Sequence, residues 1–325
     1  MLKQLSSLTM RNISYFQFIS VFNLLFLFSC DTSSVNEDKK NESIASYDTV
    51  PAVEKSLDKS LEIIVDTLPL ISYSILQMND SVIHQLPQQF PDSQLSIICA
   101  INRIDPDRLH RADSLMIPDS IYFDLNNYSP YPQKITIADS VDKLILISYR
   151  YQAFALYTKG KLEKWGPVSM GAKNTKTPTG LFHTNWKSKS QISTDNSSWI
   201  LPWYFNLVNN TGVSLHQFEL PGFPASHSCV RLRLSDAEYI YYFAEQWKLD
   251  EKGWKILVEG TPVIIFGEYP FGKQRPWFEA AISQSGELLS ADTLSDVIRN
   301  HLPQIIEEQK VRKQFFRKLE KDSVI

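Results

Sequence analysis

From about Lys134 onward the chain alternates. In "KITIADSVDKLILISYRYQAFALYTKGKLEKWGPVSMG" apolar and polar residues exchange places at every second position in short runs. That is the period of a strand whose two faces meet different surroundings. Lys159-Gly160 separates "AFALYT" from "KLEKWGPVSM" with a two-residue turn signal. A second strand pair is expected around Glu259-Gly260 in "GWKILVEGTPVIIFGEY". Runs of this kind fold mainly as sheet, so residues 133–269 are read as a mostly β domain with helices, an α+β fold.

One helix within that domain carries its own start signal. Ser235 and Glu238 form an S-x-x-E capping box. The helix is expected from Asp236 to about Trp247, with Ala237, Ile240, Tyr241 and Phe243 or Ala244 facing inward. Residues 56–132 form an N-terminal region with apolar patches punctuated by Pro and Asp. There Ile98, Ile101 and Ile104 fall near helical spacing, and "DSLMIP" reads as a short strand. "INRIDPDRLHRADSLMIP" resembles the second half of a LysM-type module, with Ala112 where that module has Gly; a small helical packing layer is the alternative. Residues 270–325 form a helical tail in which Val311, Phe315 and Leu319 recur at i+4, an amphipathic helix expected to pack on the domain.

The N-terminus reads as an export signal. Arg11 precedes an apolar run, Phe16 to Phe28, too short to span a membrane and suited to a signal-peptide core. The run ends at "LFSC", which resembles a bacterial lipobox. Residues 1–29 are therefore expected to be a lipoprotein signal peptide and Cys30 the lipidated residue; an uncleaved anchor helix is the alternative. Residues 30–55 are polar and charged, too poor in apolar surface to offset ordering entropy, and read as a tether. The body would lie in the periplasm or cell envelope, lipid-anchored to a bacterial membrane. A net charge of −3 shows no basic excess, which argues against nucleic acid as a partner.

The chain has three cysteines. With Cys30 assigned to lipid, Cys99 and Cys229 remain. Cys99 sits in the apolar run "LSIICAI", where a free thiol behaves as a small core residue, so the two are expected to be unpaired. Cys229 has two histidines near it in "VSLHQFELPGFPASHSCVRL", His216 at the end of a predicted strand and His227 on the following loop. A thiol becomes a thiolate near neutral pH only beside a base or positive charge. Three readings follow: a zinc site using His216, His227 and Cys229; a buried Cys with incidental histidines; and a nucleophile with its base. The first lacks a fourth Cys or His nearby in sequence. The third accounts for both histidines and the turn together.

"SHSCVRL" is similar to the S-H-G-C-x-R signature of the L,D-transpeptidase catalytic domain family. His216 matches that family's separate catalytic His. "MGAKNTKTPTGLF" resembles its G…TPTGxF segment, "QAFALYTKGKL" its early hairpin, "LPWYFNL" the segment before the strand bearing the His, and "GTPVIIFG" its final strand. The pieces occur in the family's order. The resemblance implies a β-sandwich-like domain with Cys229 as nucleophile and His216 as general base. It implies an oxyanion site at the backbone of His227, Ser228 and Cys229, and a Gln217 carbonyl that orients the histidine. Arg231 would brace the loop or bind a substrate carboxylate. Trp203 and Tyr204 would wall the substrate groove, Ser226 would belong to the substrate-binding turn, and Thr177 to Gly180 would form a structural turn. The donor would be a peptidoglycan tetrapeptide stem. A thioester would form with loss of D-Ala, and an amine on a neighbouring stem would take the acyl group to give a 3→3 crosslink; no cofactor or metal is implied.

Two departures from the family pattern bear on this. Ser228 stands where the signature has Gly; if that position requires a positive φ, Ser costs energy there. The loop from His216 to Cys229 is shorter than in many members, which alters the cap over the groove. The alternatives kept are an L,D-carboxypeptidase or wall-protein-detaching hydrolase with the same Cys and His, and a catalytically impaired peptidoglycan-binding lipoprotein.

Overall fold

The computed structural model describes residues 69–209, 212–283 and 288–323. The leader, Cys30 and the tether fall outside the described residues. Strand β1 (Tyr73–Gln77), helices α1 (Asp80–Gln89) and α2 (Asp92–Ile101), and strand β2 (Ser114–Pro118) form a βααβ unit in which β1 and β2 pair antiparallel. Asn79 caps α1 by accepting a hydrogen bond from Val82 N at 3.0 Å. The second half of helix α2, Ile97 to Ile101, is wholly apolar; its Cys99 is buried with Leu86, Leu95, Ile104, Leu109 and Leu115 in a small core. Asn102 ties the end of α2 to β2: its amide nitrogen donates to Met116 O at 2.7 Å and its Oδ1 accepts from Met116 N at 2.8 Å. Burying an amide is tolerated because those bonds satisfy it.

Among the described residues the sheet that follows has nine strands. In chain order they are β3 (Leu144–Ser148), β4 (Ala153–Thr158), β5 (Lys161–Ser169), β6 (Gly180–His183), β7 (Lys187–Ile192), β8 (Ile200–Val208), β9 (Val213–Gln217), β10 (Val230–Leu232) and β13 (Pro262–Phe266), with the short pair β11 (Lys248–Leu249) and β12 (Ile256–Val258) standing apart. The sheet order is β6-β13-β3-β4-β5-β10-β9-β8-β7. Two neighbouring pairs, β13 with β3 and β10 with β9, run parallel. The β4–β5 turn is the expected one: Thr158 pairs with Lys161, and Lys159 and Gly160 have φ of 48° and 71°, the positive values that a two-residue hairpin turn matching strand twist demands. The Glu259-Gly260 expectation is corrected. Strand β12 pairs with β11, while β13 enters the large sheet between β3 and β6. Gly260 marks the passage, since a Cβ there would lie 1.8 Å from Thr184 O.

The sheet curls, and its alternation sorts side chains into two cores. Ile145, Ile147, Phe154, Leu156, Val168, Phe205, Leu215, Val230 and Val263 share the inner cluster with Ala237 and Ile240 of helix α3 (Leu234–Phe243). The opposite face of β3–β5 contributes Leu146, Ala155, Tyr157 and Trp165 to an outer cluster with Ile101, Tyr131, Trp277, Leu294 and Ile305. These last come from the N-terminal region and from the C-terminal elements, which include helices α4 (Glu279–Ser283), α5 (Ala291–Arg299) and α6 (Leu302–Asp322). Arg103 pins the N-terminal region into this cluster. It is fully buried, its guanidinium lies 5.5 Å from the Trp165 ring and 5.1 Å from that of Trp277, and its Nε donates to Tyr151 O at 3.0 Å. Two aromatic faces and backbone carbonyls replace the lost hydration of the cation.

Two helix expectations change. Helix α3 begins at Leu234 with Arg233 as its N-cap and no side-chain cap bond, so the Ser235–Glu238 box is not used. The chain leaves β10 directly into the helix, and Asp236 is drawn inward to Lys164 at 2.9 Å. The helix stops at Phe243 rather than Trp247 because Lys187 and Lys143 bind its last carbonyls and Glu245 N turns to Thr261 Oγ1 at 2.9 Å. In α6 the expected stripe is also displaced: Val311 and Leu319 are exposed, while Ile305 is buried. The inward face is largely polar, with Gln309 accepting from Asp142 N, Arg312 donating to Glu259 O and paired with Glu245, and Glu308 meeting His183 at 2.8 Å. Among the described residues no helix is long and apolar enough to cross a membrane.

Candidate active site

The site grows from the register of three strands. Strands β8 and β9 pair antiparallel with Phe205 opposite Leu215 and Asn206 opposite Ser214; β9 and β10 pair parallel with Leu215 opposite Val230 and His216 opposite Arg231. Side chains alternate along each strand. Phe205, Val213, Leu215, Val230 and Leu232 therefore enter the inner core, while Tyr204, Ser214 and His216, with Arg231, take the other face. The chain crosses from the end of β9 to the start of β10 through residues 218–229 and delivers Cys229 to that same face. There His216, Cys229, Arg231, Phe218, Ser226, His227 and Trp199 line one groove.

His216 is buried, and its Nδ1 lies 2.9 Å from Gln217 O. A carbonyl only accepts, so Nδ1 carries the proton and the lone pair of the neutral ring sits on Nε2. The Tyr204 ring stacks on the imidazole at 6.3 Å and 14°, and Tyr204 rests in turn on Trp186 at 5.0 Å. Burial lowers the His216 pKa to about 4, against the pull of the Gln217 carbonyl, and Arg231 lowers it further. The ring is neutral at neutral pH.

Cys229 is half-buried and unpaired. Its thiol donates to Gly212 O at 3.2 Å and lies 3.3 Å from Ser214 Oγ. Burial raises its pKa, partly offset by the Ser214 bonds; Asp195 raises it and Arg231 lowers it. The resting pair is thus a neutral thiol and a neutral imidazole. Proton transfer from the thiol to the imidazole is uphill at rest.

The turn before Cys229 is held from below by the Met170–Thr177 segment. Thr177 Oγ1 accepts from Gly171 N at 2.9 Å and donates to Ser228 O at 2.8 Å. Ser226 O accepts from Ala172 N and from Thr175 Oγ1, at 2.9 and 2.8 Å. A trans peptide points its N–H opposite its C=O. Fixing the Ser226 and Ser228 carbonyls toward this segment therefore turns the N–H groups of His227 and Cys229 away from it. Gly171 permits the close approach, since a Cβ there would lie 2.1 Å from Thr175 O. Ser228 has φ of 88°, the left-handed region that costs an L-residue roughly 1–2 kcal/mol. The position does require positive φ, and Ser carries the strain that Gly would avoid.

Several predicted site residues stand elsewhere. Trp203 is on the opposite face of β8 from Tyr204 and packs on Tyr241 and Tyr242 of α3 at 5.2 and 5.8 Å, so it walls no groove; strand alternation is the reason. Tyr204 is buried beneath His216 and supports the ring instead of facing substrate. Ser226 Oγ is committed to Cys229 O. His227 is exposed on the loop, with its ring 5.6 Å from Trp199. Among the described residues no three His, Cys, Asp or Glu side chains converge as a metal site, so the zinc reading of His216, His227 and Cys229 has no geometric support. Sequence reasoning missed Ser214 and Trp199, and it gave Thr177 a structural turn without its bond to Ser228 O. Ser214 was within reach of a pattern argument, since in "VSLH" it lies two residues before His216 and hence on the same strand face.

A larger cavity of about 450 Å³ lies beneath α6, lined by Lys143, Glu245, Glu308 and Arg312 among others. Several of its charges are paired, Arg312 and Lys143 with Glu245, Lys313 with Asp142 and Glu308 with His183. No Cys, Ser or His is among the residues that line it.

Residues 142–265 match the family model of the L,D-transpeptidase catalytic domain, YkuD. No curated protein matches this chain. Among solved structures it is similar to an L,D-transpeptidase from Stackebrandtia nassauensis, with 22% identity, a TM-score of 0.32, and coverage of 40% of this chain and 57% of that one. It is also similar to the Enterococcus faecium L,D-transpeptidase C442S mutant, with 22% identity, a TM-score of 0.29, and coverage of 38% and 50%. A third is an L,D-transpeptidase from Mycobacterium tuberculosis H37Rv, with 17% identity, a TM-score of 0.31, and coverage of 62% and 93%. The chain spans about half the length of the first two. The match to the L,D-transpeptidase catalytic domain family is thus carried by residues 142–265 of this chain.

Proposed function

We propose that the protein is a cysteine acyltransferase acting on peptidoglycan tetrapeptide stems, an L,D-transpeptidase with Cys229 as nucleophile and His216 as base. The observation that carries the reading is the pairing of β9 with β10, which puts His216, its Nδ1 at Gln217 O, and Cys229 in one groove. In the first step the Cys229 sulfur attacks the carbonyl of the third stem residue while its proton passes to His216 Nε2. The oxyanion is stabilised by the N–H groups of the turn His227–Cys229. The C–N bond breaks, the imidazolium returns the proton to the leaving D-Ala amine, and a thioester remains. An amine on a neighbouring stem then attacks the thioester and gives a 3→3 crosslink. Attack by water would make the protein an L,D-carboxypeptidase, and the same Cys and His serve both.

The placement at the cell envelope rests on the sequence: an export signal ending at Cys30, lipidation there, and a tether to residue 55. The βααβ unit is read as LysM-like through its Asn102 and the strand "DSLMIP". A binding protein without catalysis is the reading that strained Ser228 raises. It is weakened by Thr177, which holds the Ser228 carbonyl, and with it the Cys229 amide, in a fixed direction despite the strain.

Incubation with tetrapeptide muropeptides should release D-Ala and yield 3→3 dimers by mass spectrometry, and Cys229→Ala should yield neither. Tripeptides without dimers would select the hydrolase, and no product from the wild type would refute the enzymatic reading. The base is active when deprotonated and, with a pKa of about 4, stays so through mildly acidic pH. The acid limb of kcat/KM should accordingly fall with a midpoint well below that of an ordinary histidine. A midpoint near 6.5, where activity at pH 5.5 has dropped about tenfold, would mean that His216 is not the base. Ser228→Gly should retain activity and be neutral to about 1 kcal/mol more stable in urea unfolding, since relief of strain is partly offset by glycine's unfolded-state entropy. The β-branched Ser228→Val should lose about 2 kcal/mol or more.

A further inference from the structure

The crossing loop between β9 and β10 is held by the N-terminal unit. Ile104 and Pro221 form an antiparallel bridge. Asp105 N donates to Leu220 O at 2.8 Å, Gly222 N to Arg103 O at 2.9 Å, and Leu220 N to Asp105 Oδ2 at 2.7 Å. The polypeptide just after α2 thus lies along residues 220–222 as a short strand would, and Arg103 at its head is buried in the outer core.

Glu219, at the tip of this contact, faces two guanidiniums. Its Oε2 pairs closely with Arg108, and its Oε1 lies 3.9 Å from Arg231 Nη1. Arg231 is buried, its guanidinium lies 4.6 Å from the Phe218 ring, and it lines the groove with Cys229. A carboxylate that closed fully on Arg231 in a bidentate pair would neutralise the one guanidinium in the groove lining. Arg108 draws Glu219 the other way, so the contact with Arg231 stays long and Arg231 keeps charge for a ligand.

We propose that Arg108 and Glu219 position Arg231 to receive the terminal carboxylate of the donor stem, which makes the N-terminal unit a part of the substrate site. The inference rests on the acyl-transfer reading above. Arg108 and Glu219 are positioning residues, acting through Arg231 on substrate binding and not on the reacting bond. Removing Arg108 releases Glu219 onto Arg231; removing the Glu219 charge as well frees Arg231 again.

The test is steady-state kinetics with two tetrapeptide donors, one with a free terminal carboxylate and one with a terminal carboxamide. Arg108→Ala should raise KM for the free acid about tenfold, the loss of one charge-assisted contact, with kcat little changed and KM for the carboxamide unmoved. The double variant Arg108→Ala/Glu219→Gln, which lacks the brace altogether, should return KM for the free acid toward the wild-type value. A purely structural brace predicts the reverse, equal losses for both donors and a double variant no better than the single, and that result overturns the assignment. A wild type inert toward both donors overturns the enzymatic reading and this assignment with it.

Discussion

The parallel pairing of β9 with β10 is the constraint from which the site follows. Parallel neighbours cannot be joined by a tight turn; the chain must leave the sheet and cross back. Here the crossing is made by residues 218–229, and its return brings Cys229 alongside the strand that carries His216. The same register places Leu215 and Val230 in the inner core. A slip by one residue would send His216 and Arg231 into the core and expose the apolar set. Packing energy therefore holds the chemical groups in place without their taking part in it.

Everything around the pair limits its freedom. The Gln217 carbonyl sets the tautomer of His216 and Tyr204 sets its plane. Thr177 and Thr175 fix the turn from one side, and the N-terminal unit fixes the crossing loop from the other through Asp105 and Arg108. Burial keeps both thiol and imidazole neutral at rest. In the acyl transfer proposed here, a site of this kind would develop charge mainly in the transition state. The positive φ at Ser228 is tolerated because these neighbours determine the backbone there.

What could be read from the sequence was local or periodic. The Lys159-Gly160 turn announces itself by residue type, and the strand "VSLH" by alternation. His216 and Cys229 were singled out by chemistry and by resemblance. What could not be read depends on partners distant in the chain. The capping box at Ser235 was overridden because β10 feeds α3 directly and Asp236 is drawn to Lys164. Strand β13 was misplaced because its neighbours, β3 and β6, lie far upstream. Trp203 and Tyr204 are adjacent in sequence, and only the register says which faces the histidine. The inward face of α6 escaped an apolar stripe because polar side chains, Gln309 and Arg312, make its contacts. Glu219 carries no motif at all; its meaning comes from Arg108 and Arg231 on either side.

The most direct test of Cys229 as the nucleophile is intact-mass measurement after exposure to a carbapenem, a strained acyl donor that needs no second substrate. The account predicts one adduct on the wild type, mapped by peptide digestion to Cys229, slow formation in His216→Ala, and none in Cys229→Ala. An adduct that persists in Cys229→Ala, or a wild type that stays at its native mass, would contradict it.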